Sequence, residues 1–344
     1  MMDPASYPAK LVMAPVVVFE PATSWGAGIG AKVLFKFAGS GEETRTSNLP
    51  ISVLYTLNNQ FIISSGYTIF FNQEKWYLTG NIEFSLFPQS YYGIGSTTRE
   101  EEEEIFSFDR FLFEPILLKK VHKKLFVGGG LRYNFISNTE LEPEGSLIRE
   151  MPTGFDGSTS AGLEFAMVWD NRDNVLNAQK GSFVEFKQGF YETWLGGSHR
   201  FRFNQLDART YIRPWKSRED ILAFNLFSRF AWGDVPVAEL SVFGGAERGR
   251  GYREGRYRDF NTISAQMEYR WQAFDRVGFV FYGGIGDVFD EFNNINLNTL
   301  KYNTGLGLRL KIVKEENLNI RFDYGFGFGF EFDHNFYLGI AEAF

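Results

Sequence analysis

No cysteine occurs anywhere in the chain, which excludes disulfides and thiolate-held metals and is compatible with an oxidising compartment. Histidine is nearly as scarce: His122, His199 and His334 stand far apart, so no metal cluster is expected. No nucleophile elbow is present, and the adjacent pair Ser198-His199 is not a triad, so neither an enzymatic activity nor a cofactor is expected. Apolar runs of about 18 residues are missing too, which excludes a transmembrane helix. Basic charge is not in excess: 35 Lys and Arg against 42 Asp and Glu leave a net charge of −7, which argues against a nucleic-acid partner. No long stretch shows a 3.6-residue apolar period, so helix should be minimal.

What the chain has in quantity is aromatic residues and glycine, with 38 Phe, 16 Tyr and 36 Gly, set out with a period of two. From Leu318 to Phe330, every even position is large and apolar (Leu318, Ile320, Phe322, Tyr324, Phe326, Phe328, Phe330). Every odd position is polar or glycine (Asn319, Arg321, Asp323, Gly325, Gly327, Gly329). Side chains of a strand alternate between its faces, so this segment has one greasy and one polar side. It is also long enough to cross a hydrocarbon layer obliquely, which takes about 9–11 residues.

The same alternation recurs in Leu300 to Ile312, Phe61 to Phe71, Trp76 to Leu86, Leu125 to Phe135, Ala161 to Trp169, Leu222 to Trp232, Ile263 to Trp271 and Phe336 to Phe344. About sixteen strands are predicted, an even number as a bacterial barrel requires. They fall near 10–20, 25–38, 46–56, 60–71, 75–88, 104–119, 123–138 and 157–170, then 180–192, 199–214, 219–233, 260–272, 276–287, 299–312, 316–328 and 331–343. The fold class is therefore all-β, a transmembrane antiparallel β-barrel. A soluble sandwich would alternate as well, but it would use shorter strands and hide its apolar faces between sheets. In a barrel those faces meet lipid, and ring closure pairs every backbone group without leaving an edge. Mean hydropathy is only −0.22, since lumen and loops offset the lipid face.

One barrel domain over 10–344 is expected, preceded by a short segment, 1–9, with a monomer as the simplest state. Met1-Met2-Asp3-Pro4 lacks the features of a secretory leader, so the chain is expected to begin near a mature N-terminus. If the first strand rises from the periplasm, the long connections near 89–103, 139–156, 234–259 and 288–298 all face outward. The acidic run Glu100 to Glu104 beside one of them reads as solvated charge rather than a Ca²⁺ site.

Five arginines crowd Arg248-Gly249-Arg250-Gly251-Tyr252-Arg253-Glu254-Gly255-Arg256-Tyr257-Arg258, with glycines that let the chain turn sharply. Such a loop can fold inward, where a guanidinium forks onto a carboxylate; Glu268 shares its strand face with Ser264, Gln266 and Arg270. The plainer alternative is a basic surface loop touching lipopolysaccharide.

Three segments resemble the Omp85 superfamily of outer-membrane barrels, which contains BamA, TamA and the two-partner secretion transporters. The turn Trp169-Asp170-Asn171-Arg172-Asp173 to Gly181 is similar to the family's D-x-R-D-x-x-x-x-P-x-x-G pattern, with Ala178 in place of proline. Gly249-Arg250-Gly251-Tyr252 resembles the V-R-G-F/Y tip of its sixth extracellular loop, with Gly249 in place of valine. The strand ending Glu268-Tyr269-Arg270-Trp271 carries the family's lumen-facing glutamate. The next strand departs from F-x-D-x-G: it reads Tyr282-Gly283-Gly284-Ile285-Gly286, without the Asp that receives the loop arginine, which leaves Glu268 or Asp287 for that role.

The resemblance implies an outer-membrane location, a lumen plugged by the inward-folded sixth loop, and a weak seam between the first and last strands through which client proteins pass. Pro15 within Lys10 to Glu20 fits a weak first strand, and Phe344 is similar to the aromatic terminus that outer-membrane barrels present to their assembly machinery. The family's periplasmic POTRA modules are not seen in the sequence. The expected function is that of a POTRA-less transport-class barrel: a gated or small pore, or an auxiliary in protein insertion or export. Its partners would be outer-membrane lipids, lipopolysaccharide and a separate periplasmic or outer-membrane protein. A passive diffusion channel and a surface-interaction protein are the alternatives.

Overall fold

The computed structural model describes residues 9–20, 24–41, 44–175, 177–215, 217–313 and 318–344. All but the last residue of the expected N-terminal segment 1–9 lies outside them, as does the side chain of Leu318.

Sixteen antiparallel wall strands close into one barrel among the described residues. They are β1 Lys10–Glu20, β2 Ser24–Phe35, β3 Ser47–Thr56, β4 Phe61–Phe71, β5 Trp76–Tyr91, β6 Glu104–Phe113 with Ile116–His122, β7 Leu125–Glu140 and β8 Ser158–Asp170. The second half continues with β9 Gly181–Tyr191, β10 Phe201–Ile212, β11 Ile221–Gly233, β12 Asn261–Gln272, β13 Val277–Phe289, β14 Lys301–Val313, β15 Leu318–Phe328 and β16 Phe332–Ile340. The predicted sixth strand is interrupted at Glu114-Pro115, where proline lacks a ladder donor, yet both halves pair with the same neighbours, β5 and β7. The single described α-helix is the short Ser146–Glu150, capped by Glu104, whose carboxylate accepts from Ser146 Oγ at 2.9 Å and Leu147 N at 3.0 Å. The acidic run is therefore only partly solvated surface.

The two faces separate as the alternation requires. On β14 the outward Leu306 is 57% exposed while the inward Asn303 and Arg309 are 5% and 4% exposed. Met267, Phe281, Ile29 and Val53 likewise stand outside, and Gln266, Glu268 and Asp323 inside. The turn over 171–180 lies at one end, and the longest connections, after β5, β7, β11 and β13, gather at the other. There the connection after β11 bends into the barrel, forming a small two-stranded ribbon from Ser241–Phe243 and Tyr257–Asp259.

Most ladders are long, with register shifts at Ser107/Asp109, Lys120/His122 and Lys311/Val313 and a gap in the β3–β4 pairing between Asn48 and Ser52. β1 pairs with β2 without interruption from Lys10 to Glu20, Pro15 lying opposite Ile29. On its other edge, among the described residues, β1 pairs with β16 at one position, Phe19 opposite Leu338. Phe19 also packs on Phe336 across this junction, with ring centroids 5.5 Å apart.

Candidate functional site: a loop tip locked in the lumen

Arg250 sits at the tip of the inward loop and is fully buried. Its Nη2 donates to Glu268 of β12, its Nη1 donates to Asp323 Oδ2 of β15 at 2.8 Å, and its guanidinium lies 3.7 Å from the Tyr282 ring centroid of β13. Backbone contacts fix the same turn. Asn303 Nδ2 donates to Arg250 O at 3.0 Å, Gly251 N donates to Tyr337 Oη at 3.0 Å, and Tyr337 Oη donates to Tyr252 O at 2.6 Å. Tyr252 Oη donates to Tyr302 O at 3.2 Å, and its ring packs between Phe243 and Tyr257. The tip is thus held by five successive strands, β12 to β16.

Glycine supplies the space. Gly251 adopts φ 123°, and a Cβ there would stand 2.5 Å from the Phe326 carbonyl carbon. Conversely, a Cβ on Gly325 would lie 2.7 Å from the Arg250 backbone and one on Gly327 2.5 Å from the Tyr252 ring. The glycines of β15's polar face form the bed on which the tip rests.

Glu268 is a partner of the arginine, as expected from its strand face. Asp287 is not. Its carboxylate accepts from Lys301 Nζ at 2.5 Å and from Thr299 Oγ1 at 2.7 Å, near the outer rim. The second carboxylate comes instead from Asp323, two strands beyond the position where the F-x-D-x-G pattern would have placed it. Its signal was present in the sequence as the acid on the polar face of Leu318 to Phe330.

These charges close into a ring. From Arg250 it runs through Glu268 to Arg270 Nε (2.7 Å), to Glu342 Oε2 (3.9 Å), to Arg309 Nε (2.7 Å), to Asp323 Oδ1 from Arg309 Nη1 (2.6 Å), and back to Arg250. Three cations and three carboxylates alternate, none more than 7% exposed at its side chain. Alternation matters because an unpaired charge at this depth would be far more unfavourable than a paired one.

A second anchor, unforeseen from sequence, holds the loop's entry. Glu239 accepts from Arg132 Nη1 at 2.7 and 2.9 Å and from Asn134 Nδ2 at 2.7 Å, while Arg229 Nη1 donates to its backbone oxygen at 2.6 Å. At the rim, Arg256 bridges to Thr98 O (2.8 Å) and Glu331 (2.7 Å), and Arg253 reaches Glu103 (3.0 Å). Burial lowers the Arg258 pKa to about 10, and burial raises that of Asp259 to about 6, Asp290 and Asp287 adding to the rise. A cavity of about 210 Å³ remains beside the loop, lined by Glu83, Arg110, Leu240 and Glu254.

The periplasmic turn also assembles. Asp170 accepts from Arg172 Nε at 2.9 Å and from Arg45 Nη1 at 2.8 Å; Asp173 accepts from Gln179 N at 2.9 Å; Gly181 takes φ 102° against Asn171. This is a structural clasp between two connections. Pro15 lies on the seam strand, but Phe344 does not extend β16 along it. The last strand ends at Ile340, Ala341 turns at φ 72°, and Phe344 enters the lumen beside Tyr211 and Ile221.

Sequence comparison agrees with this geometry: the model of the Omp85 superfamily domain matches residues 64–344. The chain belongs to the Omp85 superfamily. It is accordingly a barrel of the bacterial outer membrane. Among solved structures, this Omp85 barrel is similar to BamA from Haemophilus ducreyi lacking POTRA domains 1-3, with TM-score 0.63, 12% identity, and coverage of 98% of this chain and 75% of that one. It is also similar to CdiB from Acinetobacter baumannii, with TM-score 0.62, 12% identity, and coverage of 98% and 66%. At such identity the likeness is one of fold. A search of curated proteins finds no match.

Proposed function

We propose that this Omp85 barrel is a gated, non-enzymatic transport-class protein that assists insertion or export of other proteins, exchanging them at the β1–β16 seam while the lumen stays plugged. The observation that carries this reading is the seam itself. From Phe19 opposite Leu338, one step along each antiparallel strand at a time brings Val17 opposite Ile340, where β16 ends. Below that point the outer edge of β1 faces no described strand of the register. An unpaired edge is a template for another strand, and here it opens sideways into the wall.

The locked loop tip favours a plugged lumen over the diffusion-channel alternative, because Arg250 and its neighbours tie it to five strands inside the barrel. Separate partners remain part of the proposal: periplasmic or outer-membrane proteins would deliver the client, with lipids and lipopolysaccharide surrounding the wall.

A Phe19→Cys/Leu338→Cys pair tests the seam in a chain that has no other cysteine. Oxidation is expected to abolish assisted insertion of a model barrel into liposomes and to leave single-channel conductance unchanged. Full insertion activity with the disulfide formed would refute the seam as the route.

A further inference from the structure

The segment Ala341–Phe344 occupies a built site at the periplasmic mouth of the lumen. Glu342 accepts from Arg309 Nε at 2.7 Å and from Asn319 Nδ2 at 2.7 Å. Phe344 O accepts from Arg270 Nη2 at 2.9 Å, and the Phe344 ring lies 5.3 Å from the Arg270 guanidinium and 6.4 Å from the Tyr211 ring. Ile221, Ala223 and Ala178 complete an apolar seat for that ring. The site therefore reads a short peptide by one acidic side chain and an aromatic side chain two residues later.

Two further observations concern how well the resident segment fits. Entry requires Ala341, a residue with a Cβ, to adopt the left-handed region at φ 72°. The site also keeps unused hydrogen-bonding capacity: Arg270 Nη1, Asn319 Oδ1, and both Nε and Nη1 of Arg321 are buried without a partner. Arg321 is 7% exposed and its Nε lies over Gly339 of β16, beside the resident segment. A peptide carrying more acceptors than Ala341–Phe344 would satisfy the arginine N–H groups that the chain's own segment leaves orphaned, and a peptide N–H could serve Asn319 Oδ1.

We propose that the Arg270–Arg309–Arg321 patch is a peptide-binding site for acidic, aromatic-bearing segments of other chains, and that Ala341–Phe344 is its displaceable resident. The resident competes at the high effective concentration of a tethered ligand, so a free peptide sees the site only when the resident leaves. Displacement would also break the Glu342 member of the charge ring that ends at Arg250, linking occupancy of the periplasmic mouth to the loop lock. The site does not rest on the seam's being the route for client proteins.

The probe is a fluorescently labelled peptide of residues 338–344, measured by anisotropy in detergent against protein whose folding is verified by its shift on boiling in a gel. The Glu342→Ala/Phe344→Ala variant is expected to bind it at least tenfold more tightly than the unaltered chain, and adding Arg309→Ala should remove that gain. A second readout uses Ala343→Cys, a buried position in a cysteine-free chain. Excess peptide should speed its reaction with a maleimide several-fold, and a peptide with Glu→Gln and Phe→Ala changes should not. Equal affinity for both proteins, or labelling indifferent to peptide, overturns the proposal.

Discussion

Replacing Arg250 by Ala removes the one side chain shared by Glu268 and Asp323. Breaking a buried ion pair from one side costs about 3–5 kcal/mol, because the remaining charge stays buried. Here both carboxylates keep another arginine, Arg270 for Glu268 and Arg309 for Asp323, so the lower end applies. A loss of about 3 kcal/mol in the docked state corresponds to roughly a hundredfold more frequent undocking, at 1.4 kcal/mol per factor of ten. Single-channel recording in planar bilayers reads this directly as opening events or raised conductance. Arg250→Lys should fall between, since an ammonium keeps the charge but cannot fork between two acids and stacks less well on Tyr282. Traces of Arg250→Ala indistinguishable from those of the unaltered protein, with the barrel folded, would refute the idea that this arginine holds a plug.

Gly251→Ala should act in the same direction without touching a charge, because φ 123° and a Cβ 2.5 Å from Phe326 forbid the turn; protease cleavage of the displaced loop from the outer side would report it. Glu239→Ala leaves Arg132 and Arg229 buried together, so the temperature at which the gel shift is lost should fall, with about 3 kcal/mol as the expected scale. Asp259 provides a pH test. Its folded pKa of about 6 stands above the ordinary 3.8, so the docked loop binds the extra proton and loses stability as pH rises from about 4 to 6, by at most about 3 kcal/mol. Opening frequency should therefore increase over that window and become flat in Asp259→Asn; an unchanged slope in the variant would count against the assignment.

Much of the barrel was readable from period two alone, because a wall one residue thick has lipid on one side and side chains on the other. Strand ends were less legible. The predicted continuation of β16 to residue 343 fails at Ala341, where alternation persists in the letters although the backbone turns inward to satisfy Glu342. The arginine motif marked the loop tip that sits buried against Glu268 and Asp323, and Glu268 followed from its strand face. Asp323 and Glu239 were missed for a physical reason: their partners lie 73 residues away for Asp323 and 107 for Glu239, and only closure of the ring makes them neighbours. The glycines of β15 carried a signal that a hydrated lumen alone does not explain, since open space selects no residue, whereas a backbone lying against them does.

The same closure brings the seam and the loop contacts into one network, through Glu342 and Arg309. A ladder run of backbone hydrogen bonds would zip β16 to β1 if the chain beyond Ile340 stayed extended, placing Ala341 opposite Val16 and Glu342 opposite Pro15. Pro15 offers no donor, so that zipped register is weakened where Glu342 would have to leave its two lumenal partners, Arg309 and Asn319. Two buried charge-assisted hydrogen bonds, each worth about 1.5–3 kcal/mol, then compete against a few edge pairings that include a proline. The balance favours the inward turn and keeps the lower seam unpaired. Restoring the donor with Pro15→Val while removing the competitor with Glu342→Ala should shift it. Oxidation of a Val16→Cys/Ala341→Cys pair is then expected to proceed readily in that background and slowly in the otherwise unaltered chain, and equal rates would show that the tail does not set the state of the seam.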